Sequence, residues 1–155
     1  MTNEHLDDID MDILRALQSD GRLTVRQLAA IVHRSPTPVF ERLRRLEHNG
    51  CIRRYAAVLN ADRLGQGFLV FCQVKLRLIN RDIATRFIEL VGTLPEVTEC
   101  YNVSGAFDYL LKIHAPSMRD YQEFILNKLG AFDLIGSIES TFVMSEVKND
   151  PRLPI

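Results

Sequence analysis

The spacing of the apolar residues changes midway along the chain, and this change limits the folds that the chain can adopt. Before residue 60 the apolar positions recur every three or four residues, as in amphipathic helices. Beyond residue 67 alternating runs typical of strands appear, separated by helical stretches. A polar, glycine-containing connector, residues 60–67 (NADRLGQG), lies between the two patterns. The sequence therefore predicts two domains, residues 1–60 and 61–155.

Three short helices are predicted in the first domain. The first ends near Asp20 and is indicated by apolar residues at helical spacing, Ile9, Ile13, Leu14 and Leu17. Thr24 and Gln27 have the spacing of a capping box and predict a second helix that runs to Val32. Only a few residues separate this helix from the third, so the pair is predicted to form a helix-turn-helix unit.

The third helix lies within residues 35–50 (SPTPVFERLRRLEHNG), and its predicted exposed face is rich in arginine. Either Ser35 or Thr37 can cap its start, and Asn49–Gly50 is expected to end it. The buried stripe is Val39, Leu43 and Leu46, which leaves outward Thr37, Glu41, Arg44, Arg45 and His48. A solvated amphipathic helix accounts for this pattern equally well when the helix is considered alone.

The charges around this helix favour a nucleic-acid partner. Residues 1–20 hold six acidic residues, including Glu4, against Arg15 alone, whereas residues 21–60 hold eight arginines, two glutamates and no lysine. Arginine is suited to bidentate recognition of phosphate and guanine. Residues 51–59 (CIRRYAAVL) have strand composition and predict a small wing beside the helix. Double-stranded DNA is the predicted partner, contacted by Arg34, Ser35, Thr37, Pro38, Arg42, Arg44, Arg45, Arg53 and Arg54.

The second domain is predicted to be a ferredoxin-like βαββαβ domain, so the fold class is α+β. Strands are expected at residues 68–78, 97–103, 109–113 and 138–147, with helices near residues 83–91 and 117–130. This order gives a four-stranded antiparallel sheet with both helices on one face. The other face is expected to be bare, yet the strands keep apolar residues on both sides of the sheet over residues 68–71 and at Phe142 and Val143, which predicts a partner sheet from a second copy of the chain.

Several classes of protein are excluded by composition and spacing. No apolar run approaches 18 residues and the N-terminal segment is acidic, so a cytoplasmic protein with no membrane partner is expected. The three cysteines lack a CxxC pair, and His5, His33, His48 and His114 are not at metal-ligand spacing, so no metal or cofactor is predicted. No nucleophile-and-base pattern is present, so an enzyme is not expected; a ferredoxin-like enzyme with an added adaptor domain is the alternative from that class.

Three motifs resemble the Lrp/AsnC family: residues 35–60 (SPTPVFERLRRLEHNGCIRRYAAVLN), residues 103–113 (VSGAFDYLLKI), and residues 142–148 (FVMSEVK) with the final RLPI. The resemblance implies a sequence-specific transcriptional regulator. It implies a C-terminal domain that dimerises, often builds octamers as tetramers of dimers, and binds amino acids between subunits. Leucine or another apolar amino acid is the implied effector, although Ala106 stands where the leucine-responsive branch commonly has an acidic residue. The alternative is an architectural DNA-binding regulator with no small-molecule effector.

The expected effector site lies at the turn Asn102, Val103, Ser104, Gly105 and at the following Asp108 and Tyr109. A hydroxyl group and backbone amides there can hold the carboxylate of an amino acid, and Asp108 can accept its ammonium group. The family positions imply that Met118, Thr141 and Phe142 shape the pocket, in the same or a neighbouring subunit. The alternative is a tight turn whose aspartate only caps backbone amides.

Overall fold

The computed structural model describes residues 6–155, so Glu4 and His5 lie outside the described residues. The chain divides into two compact units. One holds the chain up to Val58 together with Lys148–Ile155, and the other is Leu59–Val147. The last eight residues thus group with the N-terminal unit, and the predicted limits 1–60 and 61–155 stay a prediction. No helix in the described part of the chain is long and apolar enough to cross a membrane.

The N-terminal unit contains three helices, α1 (Asp8–Ser19), α2 (Val25–Ile31) and α3 (Pro36–His48). Their shared core consists of small and branched apolar side chains: Ile13, Leu28, Ala29, Val32, Val39 and Leu46. The capping box at Thr24 and Gln27 is confirmed, since each accepts a hydrogen bond from the backbone amide of the other. An equivalent box, formed by Asp7 and Asp10, begins α1.

The start of α3 differs in one respect from the prediction. Ser35 occupies the N-cap position with Pro36 and Thr37 inside the helix, but its side chain makes no capping hydrogen bond. A cap oxygen accepts from the second or third helical amide; the third helical residue is Pro38, which has no N–H group, so only the Thr37 amide remains, and Ser35 does not bind it. The pyrrolidine rings therefore fix the helix start without a serine cap.

The turn between α2 and α3 contains His33 in a left-handed conformation, with φ of 53°. The Arg34 N–H donates to the Ala29 carbonyl at 2.9 Å, and the His33 N–H donates to the Ala30 carbonyl at 3.4 Å. These two bonds make a Schellman motif, in which glycine is the usual residue at the left-handed position. The turn between α2 and α3 therefore requires a left-handed residue, and glycine would adopt this conformation with less strain than His33.

Residues 51–60 form no strand, so the predicted wing strand is wrong. The Ile52 N–H donates to the Leu46 carbonyl, and the Tyr55 hydroxyl donates to Glu47 at 2.9 Å, so the segment turns back along the end of α3. A strand needs a neighbour to complete its hydrogen-bond ladder, and the described chain provides none beside this segment.

The second unit is the predicted βαββαβ domain. Its elements are β1 (Phe68–Leu76), α4 (Arg81–Gly92), β2 (Val97–Asn102), β3 (Tyr109–Ala115), α5 (Met118–Phe124) with a π-helical extension (Ile125–Leu129), and β4 (Ile135–Phe142). The strands are antiparallel in the order β2-β3-β1-β4. The last strand begins and ends earlier than the predicted residues 138–147. Phe142 pairs with Val70 and the Val143 N–H donates to Leu69, after which β1 has almost no residues left to pair.

The two faces of the sheet differ in composition. One face packs against the helices and buries Val70, Cys72, Val74, Leu111 and Ile113. Phe142 lies on this face with its partner Val70, and its ring lies 5.8 Å from the rings of Phe68 and Tyr121.

The face away from the helices is more polar than the bare apolar face that was predicted. Leu69, Phe71 and Leu110 are half-buried there, but Lys112 and Glu99 form an ion pair at 3.1 Å on the neighbouring strands. This face combines a small apolar centre with charged residues, a composition that suits an interface between folded units better than a monomer core.

Candidate functional site

The outward side of α3 is a polar stripe of exposed residues, Thr37, Glu41, Arg44 and His48. The guanidinium carbon of Arg44 lies 5.9 Å from the centre of the exposed Phe40 ring, close enough for a cation–π contact. Within residues 6–155 no carboxylate lies within ion-pair distance of Arg44. Thr37 and Arg44 are therefore free to contact another molecule.

Two other arginines of α3 are bound to carboxylates of α1. Arg42 Nη1 lies 2.8 Å from Asp10 Oδ1 and 2.7 Å from Asp7 Oδ2. Arg45 Nη2 lies 2.6 Å from Asp10 Oδ2. Asp10 is buried at the centre of this cluster, whereas 45% of the Arg45 side chain remains exposed. Of the arginines in α3, Arg42 and Arg45 are therefore paired with carboxylates, whereas Arg44 is not.

The pKa values in this cluster follow its contacts. The Asp10 backbone amide and the Arg42 guanidinium hold the pKa of Asp7 below its ordinary value. Asp10 and then Asp7 raise the pKa of Arg42. In the sequence both acids belong to the acidic N-terminal segment, and nothing in that segment indicates their arginine partners. Their three-residue spacing indicates the capping box, but the contacts to α3 arise from the packing of two helices.

The remaining predicted DNA contacts lie at the two ends of α3. Arg34, Ser35 and Pro38 are exposed at its start, and Arg53 and Arg54 are exposed just beyond its end. Arg34 donates to the His33 carbonyl at 3.0 Å. In the described residues none of these three arginines, Arg34, Arg53 and Arg54, has a carboxylate partner. Positive charge therefore flanks the outward stripe on both sides, as phosphate contacts on either side of a groove require.

The turn between β2 and β3 presents unpaired donors at one end of the sheet. Gly105 has φ of 118°, a conformation that side chains disfavour, and open space surrounds it. The turn is closed beneath Ser104 because Val103 N–H and Asn102 Nδ2 both donate to the Asp108 carbonyl at 2.9 Å. Ser104 itself is exposed, so its hydroxyl group is available to a ligand.

The Asp108 carboxylate already has partners inside the fold. Oδ2 accepts the Leu76 backbone N–H at 2.8 Å, and Oδ1 lies 3.2 Å from Lys75 Nζ. The side chain is only 11% exposed. These contacts match the alternative in which the aspartate caps backbone amides, and a ligand ammonium group would have to share its oxygens with Lys75. Lys75 was not foreseen, because nothing in its local sequence links it to Asp108.

The other three predicted effector residues lie far from this turn within one chain. Met118 follows β3 at the end opposite to Tyr109, and this strand alone is about 20 Å long at about 3.4 Å per residue. Thr141 and Phe142 lie at the same end as Met118, since Phe142 pairs with Val70 near the start of β1. As consecutive strand residues they point to opposite faces of the sheet.

A cavity of about 380 Å³ lies beside the turn on the helix side of the sheet. It is lined mainly by apolar groups, from Ile88, Val91, Gly92, Cys100, Asn102 and Tyr109. Two of these residues, Asn102 and Tyr109, belong to the predicted effector site. No group of three or more metal-ligating side chains occurs within residues 6–155.

Comparison with known proteins assigns both units. Residues 6–53 match the family described as winged helix-turn-helix DNA-binding, and residues 69–153 match the Lrp/AsnC ligand binding domain. The chain belongs to the Lrp/AsnC family. It is 41% identical over 150 residues to the leucine-responsive regulatory proteins of Escherichia coli K12 and of Klebsiella pneumoniae, covering 97% of this chain and 92% of each relative. This Lrp/AsnC chain is therefore a DNA-binding transcriptional regulator with a ligand-binding domain, and it is not an enzyme.

Solved structures of similar proteins have the same fold. The transcriptional regulator NMB0573 of Neisseria meningitidis, solved as a complex with L-Met, has a TM-score of 0.92 at 35% identity and covers 97% of both chains. AsnC of Escherichia coli has a TM-score of 0.85 at 26% identity, covering 94% of this chain and 96% of its own. The predicted α+β fold with an N-terminal winged helix-turn-helix and a C-terminal antiparallel domain is thereby confirmed, although residues 51–60 are not a strand here.

Proposed function

We propose that this regulator binds a free apolar amino acid between subunits and that this binding changes its DNA affinity or its assembly. The observation that carries the proposal is the split of the predicted effector residues between two ends of one sheet. Asn102–Tyr109 lie at one end, and Met118, Thr141 and Phe142 lie at the other. A pocket that uses both sets needs a second copy of the chain to bring the ends together.

The chemistry of the turn suits the polar part of an amino acid. The Ser104 hydroxyl group and the amides around Gly105 supply hydrogen-bond donors for a carboxylate. The ammonium group would approach Asp108, whose pairing with Lys75 limits its strength as an acceptor. The mostly apolar cavity at Asn102 and Tyr109 suits an apolar side chain. The L-Met complex of the Neisseria meningitidis relative supports the same ligand class.

The helix-turn-helix unit is proposed to place α3 in the major groove of DNA. Thr37, Arg44 and the exposed part of Arg45 would reach base edges, where arginine pairs with guanine. Arg34, Arg53 and Arg54 would contact phosphates on either side. A two-fold dimer would present two such helices about 34 Å apart and select a pseudo-palindromic operator. We propose a cytoplasmic homodimer that assembles further into an octamer as a tetramer of dimers.

A thermal-shift screen of the full chain against the twenty amino acids tests the effector proposal, with isothermal titration of each hit. Ser104→Ala removes an exposed hydroxyl group that has no hydrogen-bond partner within residues 6–155, so it should weaken ligand binding while leaving unfolding unchanged. Ser137→Ala, an exposed serine of β4, is the matched control. If no amino acid shifts the unfolding temperature or the DNA affinity, the effector proposal fails and an architectural regulator without a ligand replaces it.

A further inference from the structure

Asp10 is an almost completely buried carboxylate shared between two arginines of the recognition helix. Its side chain is 1% exposed, with Oδ1 at 2.8 Å from Arg42 Nη1 and Oδ2 at 2.6 Å from Arg45 Nη2. Oδ2 also accepts the Asp7 backbone N–H at 3.3 Å. Both oxygens are therefore used, and one acid on α1 controls two side chains on α3.

Burying the Asp10 carboxylate costs more free energy than burying an apolar side chain at the same position would. Burying a carboxylate is unfavourable unless it is well paired, and an apolar side chain of similar size often stabilises a core as well. Arg42 is mostly covered and is also bound by Asp7, so it completes a closed cluster. Arg45 differs, since 45% of its side chain is exposed and only Nη2 has a carboxylate partner in the described residues. Its Nε and Nη1 are left for an external acceptor.

We infer that Asp10 is a positioning residue for DNA recognition, which fixes the Arg45 guanidinium so that its exposed edge meets a base edge in one orientation. The inference rests on the proposed docking of α3 in the major groove. A long arginine side chain loses rotamer freedom when it binds, and a residue that holds it in advance reduces that loss. Arg44 has no such carboxylate within residues 6–155, so it provides an internal comparison.

Positioning and simple electrostatics predict opposite signs for the same substitution. If Asp10 acted only through its charge, its removal would reduce repulsion of phosphate and strengthen binding to all DNA. If it positions Arg45, Asp10→Asn should weaken binding to the cognate duplex by about tenfold or more, which is the size of one good arginine–guanine contact. Binding to a scrambled duplex should change little or become tighter.

Asp7→Asn is the matched control. It makes the same change of charge in the same cluster, asparagine caps a helix as well as aspartate does, and Asp7 contacts Arg42 but not Arg45. The ratio of cognate to scrambled affinity should therefore fall for Asp10→Asn and hold for Asp7→Asn. In a double-mutant cycle, Arg45→Ala should lower that ratio in the parent and have almost no effect in the Asp10→Asn background.

The cognate duplex is first selected from a random library by the parent full-length chain. Failure of the parent to select a sequence would reject the proposed docking itself. If the parent selects a sequence but Asp10→Asn keeps the ratio of cognate to scrambled affinity, the role of Asp10 alone is rejected. The same holds if the double-mutant cycle with Arg45→Ala is additive. Nitrogen-15 NMR of the parent gives a test that does not depend on the variant folding. Rotation of the Arg45 guanidinium should be slow and that of Arg44 fast, and equal rates would overturn the inference.

Discussion

The Asp108 carboxylate accepts a hydrogen bond from the Leu76 backbone N–H at 2.8 Å, which ties the turn before β3 to the end of β1. The same turn holds the candidate effector donors, so the aspartate supports the geometry of the site whether or not it touches a ligand. Its proximity to Lys75, at 3.2 Å, gives it a cation from its own chain.

Asp108→Ala should therefore lower the free energy of unfolding by about 1 to 3 kcal/mol, since it leaves a buried amide without a partner. Asp108→Asn should cost less, because its carbonyl oxygen can still accept from Leu76, although its amide group would face Lys75. Urea unfolding measures both effects. An Asp108→Asn variant of parental stability that no longer binds an amino acid would show instead that the carboxylate serves the ligand.

His33→Gly should stabilise the N-terminal unit by about 0.5 to 1 kcal/mol, because glycine adopts the left-handed conformation without side-chain strain. The greater conformational entropy of glycine in the unfolded chain offsets part of this gain. Gly50→Ala is the opposite control: Gly50 has φ of 75° and open space around it, so any destabilisation reports backbone strain alone. Urea midpoints at fixed protein concentration give the comparison. Equal stability of His33→Gly and the parent would mean that the histidine makes a compensating contact.

Acid should weaken the N-terminal unit partly through Asp7. Its pKa is lowered in the folded chain, mainly by the Asp10 amide and then by Arg42, so its stabilising effect is complete above pH about 5 and is lost as pH falls through the folded value. Asp7→Asn retains the cap but cannot titrate, so its urea midpoint should fall less between pH 5 and pH 3 than that of the parent. A parallel fall in both proteins would assign the acid sensitivity to other carboxylates.

Arg53→Ala should weaken binding to all DNA alike and reduce the slope of log affinity against log salt by about one unit, as the loss of one phosphate contact requires. Arg44→Ala should instead cost about 1 to 3 kcal/mol on the cognate duplex and little elsewhere. Fluorescence anisotropy at several salt concentrations separates the two patterns. Sequence-selective loss in Arg53→Ala would place that residue in the groove.

The local sequence was sufficient wherever the determining contacts lie within one element. The Thr24–Gln27 capping box, the left-handed Gly50 just beyond the end of α3 and the βαββαβ order follow from spacing over a few residues, and the local motifs indicate the family. These features are set by backbone hydrogen bonds and apolar periodicity, which short segments encode.

Only the tertiary structure decided the features that depend on distant partners. Asp10 is an ordinary helix-start residue in the sequence, and packing of α1 against α3 makes it the shared partner of Arg42 and Arg45. Phe142 faces the helices because its register with Val70 requires it. Residues 51–59 have strand composition but form no strand, since a strand exists only beside a neighbour and no residue type can supply one from its own segment.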